Sequence, residues 1–98
     1  LPAGNLGWRD VGSWDALFDI LETNSEGNVV RGGEHIQIDT QGALIDTTQS
    51  PLPVVTIGTD NIVIIHTGDL LFVCDKKQAQ RVREMVKKLE DEGREDLL

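Results

Sequence analysis

Apolar residues near the N-terminus recur with the period of a helix. The stripe lies at positions i, i+3, i+4 and i+7 and consists of Trp14, Leu17, Phe18 and Leu21. Ser13 is a good N-cap in front of this stripe, and Asp15 carries the charge that a first helical turn favours. Residues 24–28 are polar and turn-forming, so they cannot continue the stripe. The pattern therefore predicts a short N-terminal helix.

The middle of the chain consists of short apolar runs separated by Gly, Pro and Asn, which is typical of strands joined by turns. Strands are predicted at 29–31, 35–39, 43–46, 54–57, 62–66 and 70–74. In the second of these, Ile36 and Ile38 alternate with polar residues, which indicates a strand with one solvent-exposed face. The runs 62–65 and 70–73 are apolar on both faces, so we expect both strands to be central in a sheet.

A second helix is predicted at the C-terminal end. Asp75 and Gln78 have the spacing of a capping box at its start. A second apolar stripe at helical spacing follows and consists of Val82, Met85, Val86 and Leu89. Gly93 is expected to end this helix, which can then cover a face or an edge of the sheet.

The composition indicates one small domain. A chain of 98 residues with 4% aromatic residues has to build its core from Val, Ile and Leu. No run of about 18 apolar residues is present, and residues 1–4 lack the basic and apolar regions of a leader peptide, so neither membrane insertion nor secretion is expected. A single cysteine, Cys74, cannot form a disulfide within the chain, which fits a cytoplasmic location. We expect Cys74 to be a buried, inert thiol.

The net charge of −8 argues against nucleic acid as a partner, because phosphate binding requires a basic surface. The charges are unevenly distributed. Residues 1–75 contain two basic and eleven acidic residues, whereas residues 76–98 contain seven basic and six acidic residues. The simpler interpretation of this basic segment is a solvated helix face, and the alternative is a site for a polyanion.

The segment Gly7–Asp15, with the sequence GWRDVGSWD, contains both tryptophans of the chain, two glycines and two carboxylates. From the residues alone, Asp10 could bind a metal ion or simply cap a helix or a turn. Trp8 could pack in the core or form the wall of a sugar pocket, and Gly12 suits a tight turn. His35 and His66 have no local partners at zinc spacing, so we expect them to be surface or hydrogen-bonded histidines.

This order of residues resembles the Gly-Trp-x-Asp-x-Gly-Ser-Trp segment that closes the catalytic domain of mannose-1-phosphate guanylyltransferases. The resemblance extends to residues 25–32, 63–74 and 92–98, so it covers nearly the whole chain. In that family the Asp of the segment helps to hold the divalent cation that bridges the phosphates of the sugar nucleotide. The resemblance therefore implies that Asp10 is a ligand of Mg²⁺, and that Trp8 and Gly12 contact the substrate.

The Gly-rich nucleotide-binding loop of the same family appears nowhere in the chain. The chain therefore looks like a fragment of a longer protein, here called the parent enzyme, in which residues 1–24 end the catalytic domain and residues 25–98 form a C-terminal domain. The resemblance implies that the parent enzyme makes GDP-mannose and pyrophosphate from GTP and mannose 1-phosphate, with Mg²⁺ as cofactor. The fragment itself would be inactive and have a structural and oligomerisation role. The alternative is a non-catalytic β-domain for subunit association or sugar binding.

The resemblance also implies the fold class, which is mainly β. It predicts a short left-handed β-helix-like solenoid domain with an N-terminal helix and a C-terminal capping helix. Apolar residues six apart, such as Val30 and Ile36, are typical of a hexapeptide solenoid, although the register is not sustained. Members of the resembled family associate through their β-helix domains, which predicts a homodimer.

Overall fold

The structure, a computed structural model, describes residues 8–13, 27–49, 51–67 and 70–98, and for residues 10, 12 and 13 the description covers the backbone alone. The helix predicted from Trp14 to Leu21 and the domain boundary predicted between residues 24 and 25 lie outside the described residues. The strands are β1 (Val29–Arg31), β2 (His35–Ile38), β3 (Leu44–Asp46), β4 (Val54–Ile57), β5 (Ile62–Thr67) and β6 (Leu70–Asp75). Each predicted strand is confirmed, to within one residue at either end.

The helical elements lie at the two ends of the described chain. They are 3-10 helices at Trp8–Ser13, Lys76–Arg81 and Glu95–Leu97 and an α-helix, α1, at Val82–Asp91. No helix in the described part of the chain is both long and apolar enough to cross a membrane. The predicted fold class is confirmed in its main features, which are a strand-rich chain and a C-terminal helix.

The strands form two sheets between which the chain alternates. The larger sheet has the order β1-β3-β5-β6, and the smaller sheet pairs β2 with β4. Strands β1, β3 and β5 are parallel, so that Val29 stacks on Leu44 and Leu44 on Val63. Equivalent strands of successive coils thus lie on one another, which is the arrangement of a solenoid. The coil from Val29 to Leu44 is shorter than the coil from Leu44 to Val63, which explains why no regular repeat is visible in the sequence.

Each face of the larger sheet has its own apolar core, because side chains alternate between the two faces of a strand. Ala43, Ile45 and Ile64 form the core between the two sheets. The opposite face is covered by the N-terminal 3-10 helix and the C-terminal helical segment. That second core is built from Trp8, Val11, Val29, Leu44, Val63, Ile65, Ala79 and Val82.

The C-terminal helix begins and ends near the predicted residues. The Asp75 side chain accepts a hydrogen bond from the Lys77 backbone N–H at 2.7 Å, which confirms it as the cap. The helical segment is not regular throughout, because its first turns, Lys76–Arg81, are a 3-10 helix that leads directly into α1. The Gln78 side chain accepts a hydrogen bond from Arg81. At the other end, Gly93 adopts a φ of 73°. The N–H groups of Gly93 and Arg94 then bond to the carbonyls of Glu90 and Leu89, as in a Schellman motif.

Strand β5 is central, as predicted, whereas the prediction that β6 is central is wrong. Strand β6 runs antiparallel to β5 at the end of the strand order, and one of its faces meets the helical core. Phe72 and Cys74 pack on that core, while Leu71 and Val73 are 58% and 55% exposed. Apolar residues on both faces of a strand therefore did not identify its place in the sheet.

The alternation in β2 is real, but the exposed face is the apolar one. Ile36 and Ile38 point outward, whereas His35 and Gln37 are half-buried. The inward polar groups are paired: His35 Nε2 shares a hydrogen bond with the hydroxyl of Thr56 at 2.8 Å, and Gln37 Oε1 accepts from the N–H of Thr40 at 2.8 Å. Because both inward side chains, His35 and Gln37, have hydrogen-bond partners, polar residues are tolerated in the space between the sheets.

Candidate functional site

The N-terminal motif is anchored on the C-terminal end of the chain. Trp8, only 4% exposed, donates a hydrogen bond from its indole N–H to the carbonyl of Leu97 at 3.1 Å. Its ring stacks on Phe72, with centroids 5.3 Å apart and planes inclined by 27°. Val11, one helical turn later, is fully buried in the same core. The motif is thus held by packing between β6 and the last residues.

A cleft of about 890 Å³ lies beside Trp8, between the N-terminal 3-10 helix and α1. Part of its lining is apolar and comes from Val82, Val86 and Leu97. The charged residues that line it are Arg9, Arg83, Lys87, Glu90 and Asp91. Among the residues that the structure describes, none of its three cations forms a salt bridge. The cleft therefore combines three cationic and two acidic groups with an apolar surface.

The sequence could not show that Arg9 joins Arg83 and Lys87, because these residues are far apart in the chain. Other residues of the basic segment behave as a solvated helix face. Arg81, for example, is exposed and pairs with Glu84 at 2.9 Å. Only one side of the basic segment thus faces the cleft.

The two other predicted site residues, Asp10 and Gly12, lie in the same 3-10 helix as Trp8. The position of the Asp10 carboxylate lies outside the described part of the structure, so the metal site stays a prediction. Over the described residues, no group of three or more His, Cys, Asp or Glu side chains could hold a metal ion.

Cys74 has the environment of a structural thiol. Its Sγ donates a hydrogen bond to the carbonyl of Asp75 at 3.1 Å. Burial raises the pKa of the thiol, and the neighbouring charge of Asp75 raises the same pKa further. Because only the thiolate is an effective nucleophile, these surroundings disfavour a catalytic role.

Sequence analysis missed a partly buried ion pair that links two coils. Arg31 and Asp46 occupy equivalent positions on β1 and β3, and Arg31 Nη1 lies 3.3 Å from Asp46 Oδ2. Asp46 is 1% exposed and also accepts hydrogen bonds from the backbone and hydroxyl of Thr48. The alignment of β1 with β3, which brings Arg31 next to Asp46, cannot be predicted from the sequence. The pair is a structural element of the coil.

Trp8→Phe should lower the free energy of unfolding of the 98-residue chain by about 1–2 kcal/mol. The substitution keeps an aromatic ring against Phe72 but removes the indole N–H and leaves the Leu97 carbonyl without this donor. Urea denaturation followed by circular dichroism would measure the loss. Met85→Leu, at a position 43% exposed on α1, is the control and should change stability by less than about 0.5 kcal/mol. Equal stabilities of wild type and Trp8→Phe would contradict the packing role.

Stacked parallel strands, a smaller sheet that follows the same coils and a C-terminal helix together define a β-helix-like domain. The family profile described as "MannoseP isomerase/GMP-like beta-helix domain" matches residues 33–89. The chain therefore belongs to this family.

Named relatives support the resemblance to mannose-1-phosphate guanylyltransferases. The chain is 38% identical to a mannose-1-phosphate guanylyltransferase of Escherichia coli over 94% of its own length, and 36% identical to the alginate biosynthesis protein AlgA of Pseudomonas putida over 92%. Those matches span only 19% and 18% of the two relatives. The predicted resemblance is confirmed, and the chain corresponds to about a fifth of such proteins.

A solved structure shows the same likeness in three dimensions. It is a crystal structure of a Thermus thermophilus protein described as mannose-1-phosphate geranyltransferase. The TM-score is 0.64 at 34% sequence identity, and the match covers 86% of this chain and 23% of the other. The fold of the chain is therefore that of one part of a larger transferase.

Proposed function

We propose that this chain is the β-helix part of a mannose-1-phosphate guanylyltransferase. In the parent enzyme, a phosphate oxygen of mannose 1-phosphate attacks the α-phosphorus of GTP. The bond between the α-phosphorus and the β-phosphate oxygen breaks, so the products are GDP-mannose and pyrophosphate. The observation that carries the proposal is the motif Gly7–Asp15 in a chain whose relatives carry this name.

In this proposal, the chain contributes to the reaction by positioning the groups that contact the metal ion and the substrate. Packing of Trp8 between Phe72 and the Leu97 carbonyl fixes the 3-10 helix that contains Asp10 and Gly12. In the proposal, Asp10 supplies one carboxylate oxygen for Mg²⁺, while Trp8 and Gly12 shape the substrate side of the same segment. A bound Mg²⁺ would neutralise the negative charge that develops on the leaving pyrophosphate. The cations of the cleft, Arg9 with Arg83 and Lys87, are available to anionic groups near this segment.

The finer features of the assignment belong to the same proposal. The solenoid is left-handed, residues 1–24 close the catalytic domain, and residues 25–98 form a separate C-terminal domain. The protein is a homodimer in which this domain supports association. A cytoplasmic location fits the free thiol of Cys74.

The purified 98-residue chain should have no guanylyltransferase activity. It lacks a Gly-rich loop for the phosphates of GTP, so the reactants have no complete site. Incubation with GTP, mannose 1-phosphate and Mg²⁺, followed by chromatography of the nucleotides, would measure GDP-mannose directly. The parent enzyme, prepared in the same way, is the positive control. Product from the 98-residue chain, or none from the parent enzyme, would contradict the proposal.

A further inference from the structure

The last residues of the described chain return to the N-terminal motif. Residues 94–98, here called the C-terminal turn, follow α1 and contain the 3-10 helix Glu95–Leu97. Leu97 and Leu98 line the cleft beside Trp8, and Leu98 packs on the core to which Trp8 belongs. Residues from the two ends of the described chain therefore meet at this cleft.

The contacts inside the C-terminal turn are local. The Leu98 N–H donates a hydrogen bond to the Glu95 carbonyl at 3.1 Å. Arg94 and Asp96 form an ion pair at 3.2 Å whose side chains are 53% and 64% exposed, and such exposed pairs add little stability. Segments with few buried contacts open locally at a lower free energy than the whole domain unfolds. The turn is therefore expected to open and close while the rest of the domain stays folded.

The Trp8 side chain connects this turn to the motif. Its indole N–H donates to the carbonyl of Leu97 at 3.1 Å, and its ring stacks on Phe72 of β6. Trp8 is also the first residue of the 3-10 helix that contains Asp10 and Gly12. Because the two contacts fix the position of the indole ring, they also fix the backbone from which this helix starts. When the turn opens, the hydrogen bond to Leu97 is lost, and the helix loses this part of its support.

We propose that the C-terminal turn controls the substrate affinity of the motif. In the closed turn, the Leu97 carbonyl holds Trp8, and the 3-10 helix keeps the arrangement that binds substrate. In the open turn, that arrangement is released. The inference rests on the proposed function, in which Trp8 and Gly12 contact the substrate. Coupling between two sites is reciprocal, so bound substrate also stabilises the closed turn. Phe72 and Leu98, which hold Trp8 and the turn in place, are positioning residues.

The first test is exchange of the Trp8 indole proton with D₂O in the 98-residue chain, followed by NMR. The signal of this proton is the one that is missing from the spectrum of Trp8→Phe. Leu98→Ser removes apolar packing from the turn but leaves both stacked rings intact. In this variant the indole proton should exchange at least about tenfold faster, while the amide protons of β5 stay within about threefold of wild type. Unchanged indole exchange would overturn the inference.

Two further variants separate opening of the turn from a general loss of stability. Leu98→Met keeps the apolar contact of the turn, so indole exchange should stay within about threefold of wild type. Ile45→Val removes a methylene group from the core between the two sheets, on the face opposite to the turn, and should also leave indole exchange within about threefold. Acceleration by Ile45→Val equal to that by Leu98→Ser would show that exchange follows global unfolding, which would contradict the local coupling.

The second test is the steady-state kinetics of the parent enzyme. Leu98→Ser should raise the KM for mannose 1-phosphate at least about fivefold, because only the closed fraction binds the substrate well. The same variant should keep kcat within about twofold of wild type, because saturating substrate restores the closed turn. Phe72→Leu, which removes the stacked ring, should act in the same direction. A merely structural defect would instead lower kcat at a normal KM, since fewer molecules are active, and that result would overturn the inference.

Failure of this inference can be told apart from failure of the proposed function. A parent enzyme that makes no GDP-mannose contradicts the proposed function and, with it, the inference. An active parent enzyme with a normal KM in Leu98→Ser contradicts the inference alone. The reciprocal effect is measured by hydrogen exchange with mass spectrometry. Saturating mannose 1-phosphate with Mg²⁺ should slow exchange of residues 94–98 in the parent enzyme at least about threefold, and unchanged exchange there would contradict the coupling.

Discussion

Gly32→Ala is expected to lower the free energy of unfolding by about 4 kcal/mol, which is a large share of the stability of a domain of this size. Gly32 has a φ of +97°, a conformation that costs an L-residue about 1–2 kcal/mol. An added Cβ would lie 2.6 Å from the carbonyl carbon of Thr47 and 2.7 Å from the backbone nitrogen of Thr48. These atoms belong to the next coil, so relief requires that the two coils separate. Overpacking of this kind costs about 1–3 kcal/mol more.

Gly58→Ala is the matched control, because Gly58 has a φ of +63° and nothing within 4 Å of the added Cβ. It should cost only the backbone strain, about 1–2 kcal/mol. Urea denaturation of both variants, compared with wild type, gives the two losses. The difference between them isolates the contact between the coils. Equal losses would mean that the coils are not as close at Gly32 as the structure places them.

Asp10→Asn in the parent enzyme is expected to lower both the turnover and the affinity for Mg²⁺, each by at least about tenfold. Asparagine keeps the shape of the side chain but removes the negative charge that a hard cation requires. Trp8 and Val11 remain to hold the 3-10 helix, so the melting temperature should stay close to that of the wild type. Initial rates of GDP-mannose formation over a Mg²⁺ titration would measure both effects.

Asp15→Asn is the comparison within the same motif. Its carboxylate is expected to favour only the first turn of a helix, so the loss should be small. If the two variants lose activity equally, or if Asp10→Asn retains the normal Mg²⁺ dependence, Asp10 is not a metal ligand. The assignment of the metal site depends on this pair of variants.

The candidate site was only partly visible in the sequence. The motif drew attention to Trp8, Asp10 and Gly12, because a dense cluster of special residues can be recognised without a structure. The contact of Trp8 with Leu97, and the approach of Arg83 to Arg9, depend on how the two ends of the chain meet. Contacts between such distant residues leave no local pattern.

The local elements were determined by the sequence itself. Every predicted strand is present because apolar runs and turn residues act over a few positions, and Asp75 and Gly93 mark the ends of the helical segment for the same reason. The tertiary structure decided which strands stack, which face of β2 is exposed and that β6 lies at an edge. Alternation along a strand shows that its two faces differ, but only the neighbouring coil determines which face is buried. In this chain, hydrogen bonds between inward polar groups reversed the expected choice.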